Sequence, residues 1–299
     1  MAKAPAQRID NPLIIAHRGA SGLRPEHTLE GYELAAEQGA DVIEPDLVFS
    51  KDGHLICRHD RYLSGSTNVV DLPVFADRRT IKPGHEKPDW FAEDFTLDEL
   101  KTLRARQAFP GRSAAFDDRF EIPTFAELLA LAQRRGWRLY PEAKDPAAAR
   151  VHGHDFLSAL QPFFKAAAQG LIGPSFLQCF DPAFLRPIAP LKNVARIQLL
   201  YQPSADASVL DDIASYADGV GPNKAALYQT APRLASSGFV ERAHTLGLKV
   251  HPWTFRSDAL APPFETAGAE YAFFFALGVD GVFTDFPADG VKARAQRAQ

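Results

Sequence analysis

Asp41-Val42-Ile43-Glu44-Pro45-Asp46-Leu47-Val48-Phe49-Ser50-Lys51-Asp52-Gly53-His54-Leu55-Ile56-Cys57-Arg58-His59-Asp60 reads as two strand-like apolar runs joined by an Asp-Gly pair. Such a pair between two hydrophobic runs is a strong short-range hairpin signal. With Asp52 and Gly53 as the two turn residues, Lys51 pairs with His54, and counting outward sets Asp46 directly across from His59. Directly paired residues project from one face of a sheet. Glu44 and Asp46, two residues apart, share that face. The spacing thus gathers two carboxylates and an imidazole.

Working outward, strand-like and helical patterns alternate, which argues for a parallel sheet with helical crossovers. The strand-like runs are residues 13–16, 41–49, 138–140, 176–179, 195–200, 219–220, 249–250 with Trp253, and 281–284; residues 54–58 form an extra returning strand. Helical stretches lie between them. Thr124 with Glu127, and Thr96 with Glu99, are capping-box patterns, and Gly136 and Gly39 stand where helices stop. Eight β/α units over 299 residues predict an α/β chain folded as one (β/α)8 TIM barrel. Glycine-rich dinucleotide and nucleoside-triphosphate loops are absent from the sequence.

One connection departs from this rhythm. Residues 60–122 stand where a short loop is expected, and connections of that length are usually functional. Trp90, Phe91, Phe95, Phe109, Phe116 and Phe120 give the segment enough apolar surface to pack as a small subdomain. Its position predicts that it covers the C-terminal mouth of the barrel; a structural decoration is the alternative.

Polar residues cluster where the apolar runs end, and groups so costly to bury suggest catalysis. His17 ends the first strand and is followed by Arg18, a planar fork of donors suited to phosphate, and Gly19, which lets backbone approach a ligand. Glu44, Asp46 and Glu142 are the metal candidates. Carboxylates without a neighbouring Cys or His ligand suit a hard divalent ion, Mg²⁺ or Ca²⁺. Glu142 and Lys144 share a face at the end of the third strand, where a structural ion pair is the other reading. Trp253 and Phe255 either wall a small organic group or pack, Asp285 either orients a basic group or caps a turn, and Lys224 has the length to meet an anionic substrate. Together the clusters read as a phosphodiester-cleaving site.

The bulk properties narrow the partners. A net charge of −4 argues against nucleic acid or an anionic membrane surface, and the longest apolar stretches are too short for a membrane span. Cys57 and Cys179 sit in apolar contexts as small buried hydrophobes. Met1-Ala2-Lys3-Ala4-Pro5 has no apolar core, so the chain as it stands reads as cytoplasmic, and as periplasmic if an upstream signal was removed. Oligomeric state is not readable from these features.

Ala16-His17-Arg18-Gly19-Ala20, Arg24-Pro25-Glu26-His27-Thr28, the Glu44-x-Asp46 pair, Lys51-Asp52-Gly53, Arg58-His59-Asp60, Pro141-Glu142-x-Lys144 and Thr284-Asp285-x-Pro287 occur in that order. The chain therefore resembles the glycerophosphodiester phosphodiesterase family over nearly its whole length. The long insertion, Gly221-Pro222-Asn223-Lys224 and Trp253-Thr254-Phe255-Arg256 resemble its bacterial, typically periplasmic subgroup. The resemblance implies hydrolysis of a small-molecule glycerophosphodiester to sn-glycerol 3-phosphate and an alcohol. It further implies one divalent metal ion on Glu44, Asp46 and Glu142, often calcium in the subgroup. His17 and His59 would be the acid/base pair, with Arg18 on the phosphate and Lys144 stabilising charge. The rival readings are a sphingomyelinase or lysophospholipase D-type phosphodiesterase and a phosphate-ester binding protein without turnover.

Overall fold

The computed structural model describes residues 11–201 and 207–297. Eight strands run parallel: β1 (Leu13–His17), β2 (Val42–Glu44 continuing as Asp46–Phe49), β3 (Glu142–Ala143), β4 (Ser175–Cys179), β5 (Val194–Leu200), β6 (Gly219–Pro222), β7 (Lys249–Val250) and β8 (Gly281–Thr284). From β1 to β7 each pairs with the next, and β1 pairs with β8, where Leu13 sits against Gly281. Between β7 and β8 the contact runs through the Phe255–Thr284 bridge. A helix follows every strand, from Leu29–Glu37 after β1 to Pro287–Arg297 after β8. This is the (β/α)8 barrel expected from the alternation of patterns.

Local chemistry sets the element ends. Thr124 accepts from the Glu127 amide while the Glu127 side chain accepts from the Thr124 amide, so two orphan donors at the start of helix Phe125–Arg135 are satisfied reciprocally. Gly136, left-handed at φ 68°, closes it. Pro45 lacks an N–H and divides β2 into a half that pairs with β1 and a half that pairs with β3. Alternation then sorts the core. Ile14, Ala16 and Val282 pack with the helices, whereas Ile15, Val42, Tyr140, Phe176, Ile197 and Phe283 cluster together as the barrel interior.

His251 is fully buried in that interior, its Nδ1 3.0 Å from the Tyr140 hydroxyl and its Nε2 without a hydrogen-bond partner. Burial pushes its pKa down to about 4. A histidine depressed in the native state contributes stability fully above its ordinary value and loses it as pH falls toward the depressed one. Thermal melts between about pH 6.5 and 4 are therefore expected to show a shallower loss of Tm for His251→Gln than for the parent, the difference amounting to about 1–3 kcal/mol. Parallel profiles would show that His251 carries none of that dependence.

The hairpin register differs by one residue from the expectation. Leu47 pairs with Cys57, Val48 with Ile56 and Phe49 with Leu55, so Asp46 opposes Arg58, whose amide donates to the Asp46 carbonyl at 2.9 Å, and not His59. The turn has three residues, Lys51, Asp52 and Gly53, because Ser50 closes on His54 and Gly53 takes φ +85°. That is the three-residue loop with a left-handed glycine. Asp52 selects it: its carboxylate accepts from the Ser50 hydroxyl at 2.7 Å and from the Leu97 amide at 2.9 Å.

Residues 60–122 carry a separate hydrophobic cluster. Leu63, Val69, Phe75, Trp90, Phe95, Leu100, Leu103 and Ile122 pack on Val48 and Ile56 of the hairpin. The segment thus sits on the returning strand Leu55–Cys57, two residues ahead of the candidate histidine His59.

Candidate active site

The turn after β1 is built around two left-handed residues, Arg18 at φ 59° and Gly19 at φ 88°. A Cβ on Gly19 would lie 2.8 Å from the backbone carbon of Gly31. The glycine therefore serves close packing on the first turn of helix Leu29–Glu37. The positive φ of Arg18 is a local strain of the kind found where structure around a site over-determines the backbone. The Arg18 amide donates to Glu44 Oε2 at 2.9 Å, its Nη1 to Glu26 Oε2 at 2.8 Å, and its Nε lies 3.3 Å from Asp46 Oδ2.

Strand register assembles the carboxylates. Asp46 pairs with Glu142, Glu142 pairs with Gln178, and Gln178 donates to Glu44 Oε1 at 2.9 Å. Oxygen atoms of Glu44, Asp46 and Glu142 all fall within 4.8 Å of one another, and all three residues are buried. Lys144 Nζ lies 2.9 Å from Glu142 Oε1 and 3.7 Å from Asp46 Oδ1.

Their electrostatics divide the cluster. Burial and the neighbouring Asp46 and Glu142 charges push Glu44 well above the usual carboxylate range. Burial also raises Glu142, to about 8, with Asp46 adding to it against the pull of Lys144. Asp46 is held well below the usual range, because Lys144, His59, His27 and Arg18 outweigh its burial. Three buried carboxylates that cannot all ionise unaided are a poor structural motif and a good cation site. The donors are oxygens, and the buried Gln178 Oε1 beside them has no hydrogen-bond partner. The residues fit a hard divalent ion.

Each candidate histidine is tied to an aspartate through Nδ1. His17 Nδ1 is 2.6 Å from Asp285 Oδ1, and His59 Nδ1 is 2.8 Å from Asp60 Oδ1. In both, Nε2 is the nitrogen left for other work. Burial and Arg18 push His17 down to about 4 against the pull of Asp285, so it stands neutral near pH 7. His17, Arg18, Glu44, His59, Glu142 and Lys144 line one cavity of about 420 Å³. Phe180, Tyr201 and Trp253 make its apolar wall, with Trp253 ring centroids 5.9 and 6.0 Å from Phe180 and Tyr201. A larger concavity of about 720 Å³ on the barrel flank, near Leu97, Phe125 and Ala166, has no carboxylate in its lining, so chemistry rather than size locates the site.

Phe255 lies outside this cavity, contrary to its expected place beside Trp253. It is fully buried and stacked on Tyr271 at 5.0 Å, because the bridge to Thr284 turns it to the helix side of the barrel. Lys224 does line the cavity but is ion-paired with Glu270 at 2.7 Å. Four residues given no role from the sequence join the site. Glu26 holds Arg18; His27 bridges Asp46 and the Tyr32 hydroxyl at 3.0 and 2.8 Å; Gln178 holds Glu44; and Arg112 reaches Asp285. Glu26 and His27 had a signal, two ionisable residues directly ahead of a helix-capping threonine.

A closed barrel with a carboxylate cluster, two histidine–aspartate pairs and buried cations at the C-terminal strand ends is the layout of a hydrolytic enzyme for an anionic ester. Residues 17–289 match the model of the glycerophosphoryl diester phosphodiesterase family. The chain is 34% identical over 320 residues to a glycerophosphodiester phosphodiesterase of Arabidopsis thaliana, covering 95% of this chain and 86% of that one. It is 31% identical to the glycerophosphodiester phosphodiesterase of Haemophilus influenzae, covering 97% and 91%. Among solved structures, a phosphodiesterase of Oleispira antarctica in complex with the product sn-glycerol-3-phosphate superposes with a TM-score of 0.67 at 22% identity, covering 95% of this chain and 96% of that one. The chain belongs to the glycerophosphoryl diester phosphodiesterase family.

Proposed function

We propose that this chain hydrolyses glycerophosphodiesters to sn-glycerol 3-phosphate and a free alcohol, with one divalent cation, Ca²⁺ or Mg²⁺, held by Glu44, Asp46 and Glu142. The observation that carries the reading is the convergence of Glu44 and Glu142 with His17, His59, Arg18 and Lys144 on one cavity, with Asp46 clustered beside the two glutamates and Lys144. Bound there, the cation supplies electrostatic stabilisation of charge on the phosphoryl oxygens. The chain's own residues do the rest. Arg18 and Lys144 add fixed positive charge at the same place, preorganised by Glu26 and Glu142. His17 and His59 exchange protons through Nε2, one removing a proton from the nucleophile and the other delivering one to the leaving alkoxide. The subgroup reading, bacterial and typically periplasmic, rests on the insertion and on the motifs around Lys224 and Trp253.

Intact histidine–aspartate pairs favour turnover over a binding protein. Among the described residues no helix is long and apolar enough to cross a membrane. Alcohol release should be measured on glycerophosphocholine, glycerophosphoethanolamine, glycerophosphoglycerol and a lysophospholipid, with Ca²⁺ or Mg²⁺ added. Release from the three water-soluble diesters is the expected result. Release from the lysophospholipid alone would favour the phospholipase D-type rival, and tight binding without release would favour the non-catalytic one.

A further inference from the structure

Arg112 lies in the insertion, far along the chain from the strand ends, yet its side chain is only 3% exposed. Its Nη2 donates to Asp285 Oδ2 at 2.7 Å, its Nε to Asp258 Oδ2 at 2.7 Å and its Nη1 to the Ser21 carbonyl at 3.3 Å. The guanidinium also lies 4.3 Å over the ring of Phe109. Nearby, Gln107 donates to the same Ser21 carbonyl at 3.1 Å, and Arg24 stacks 3.5 Å over Phe116. One part of the insertion thus clasps the loop that follows His17.

Asp285 is the centre of this arrangement. It is fully buried, and its Oδ2 accepts from both Arg112 and Arg256, the latter at 2.9 Å, while its Oδ1 meets His17 Nδ1. A carboxylate held at one oxygen by two guanidinium donors has no freedom to rotate the other away. Oδ1 is therefore fixed as an acceptor, which keeps the His17 proton on Nδ1 and leaves Nε2 unprotonated. Arg256 makes a single bond from a side chain 29% exposed; Arg112 is the buried, multiply bonded member.

We propose that Arg112 is a positioning residue of the reaction, through which the insertion fixes Asp285 and thereby the orientation and tautomer of His17. The proposal rests on His17 being an acid–base group, and it gives the insertion a part in the chemistry. Arg112 is not among the residues lining the cavity, and its effect passes through Asp285.

The test uses the full chain, glycerophosphocholine and saturating divalent cation, with thermal melts to verify folding. Arg112→Ala is expected to lower kcat by about 10–100-fold, the usual range for a group that orients a ligand or catalyst, with little change in KM. Arg112→Lys should recover part of the loss, and so should millimolar guanidinium added to Arg112→Ala. Asp285→Asn should lower kcat further, and adding Arg112→Ala to it should cost no more than about threefold, since the two act through one contact. Where Arg112→Ala does not fold, Arg112→Gln supplies the same comparison. Unchanged kcat in a folded Arg112 variant, or an equal loss in the presence and absence of Asp285→Asn, would overturn the proposal. Wild-type turnover by His17→Ala would overturn the acid–base reading beneath it, a separate failure.

Discussion

Exhaustive chelation is expected to abolish turnover, and Glu44→Ala, Asp46→Ala and Glu142→Ala should each weaken divalent-cation affinity by more than about 100-fold. Losing an outer-sphere partner already costs about 10–100-fold, and each of these side chains would be a direct ligand. The same site makes stability depend on pH in a direction that the cation reverses. Burial and Asp46 raise Glu142 to about 8. In the chelated protein the native state therefore holds a proton that the unfolded chain has already lost between about pH 4.5 and 8. The contribution is present in full below that window and lost as pH rises through it. A bound cation drives the carboxylates to ionise and removes the penalty. Melts of chelated and Ca²⁺-loaded protein should accordingly diverge as pH rises from about 5 to 9, with proton release on cation binding largest near neutrality. Full activity after chelation, with metal content verified as absent, would sink the assignment. So would a gap in Tm that stays constant with pH.

The barrel was legible because its strands are short apolar runs and its helices announce themselves at their ends, as at the Thr124–Glu127 capping box and at Gly136. Glu44 and Asp46 were legible for a related reason: two carboxylates two residues apart in a strand must face the same way. The hairpin register was not. It turned on whether Lys51 lies inside or outside the turn, and that was decided by Asp52 capping the Leu97 amide, a contact 45 residues away. His59 still reaches the cavity because regular pairing stops at Cys57, after which the strand rule no longer assigns faces. Phe255 failed for the opposite reason. It lies two residues beyond Trp253, but the chain between β7 and the next helix is irregular, with Phe255 bridging to Thr284, so the two side chains part. Arg112 carries no local signal at all. Its partners Ser21, Asp258 and Asp285 come from three other connections, and only the closed barrel brings them together.

A 2-deoxy analogue of the glycerophosphodiester is expected to bind and to turn over extremely slowly. In the natural substrate a hydroxyl sits on the carbon next to the phosphate-bearing one, a nucleophile already held close. Intramolecular attack avoids much of the entropy cost of positioning a separate water. Under the proposed function the two histidines would serve such a step. His17 and His59 come from different places, the end of β1 and the stretch just past the returning strand, and each has its Nδ1 engaged by an aspartate. One can take the proton of the 2-hydroxyl while the other protonates the departing alkoxide, giving a cyclic 1,2-phosphate that water opens with the roles exchanged. His17→Ala and His59→Ala should each lower kcat by about 10²–10⁴-fold, the range for a positioned acid or base, while leaving substrate affinity nearly unchanged. Trapped cyclic phosphate early in the reaction would support the internal nucleophile directly. Near-normal turnover of the 2-deoxy analogue would instead make water the nucleophile; the proposed phosphodiesterase would stand, and His17 and His59 would serve a single in-line displacement.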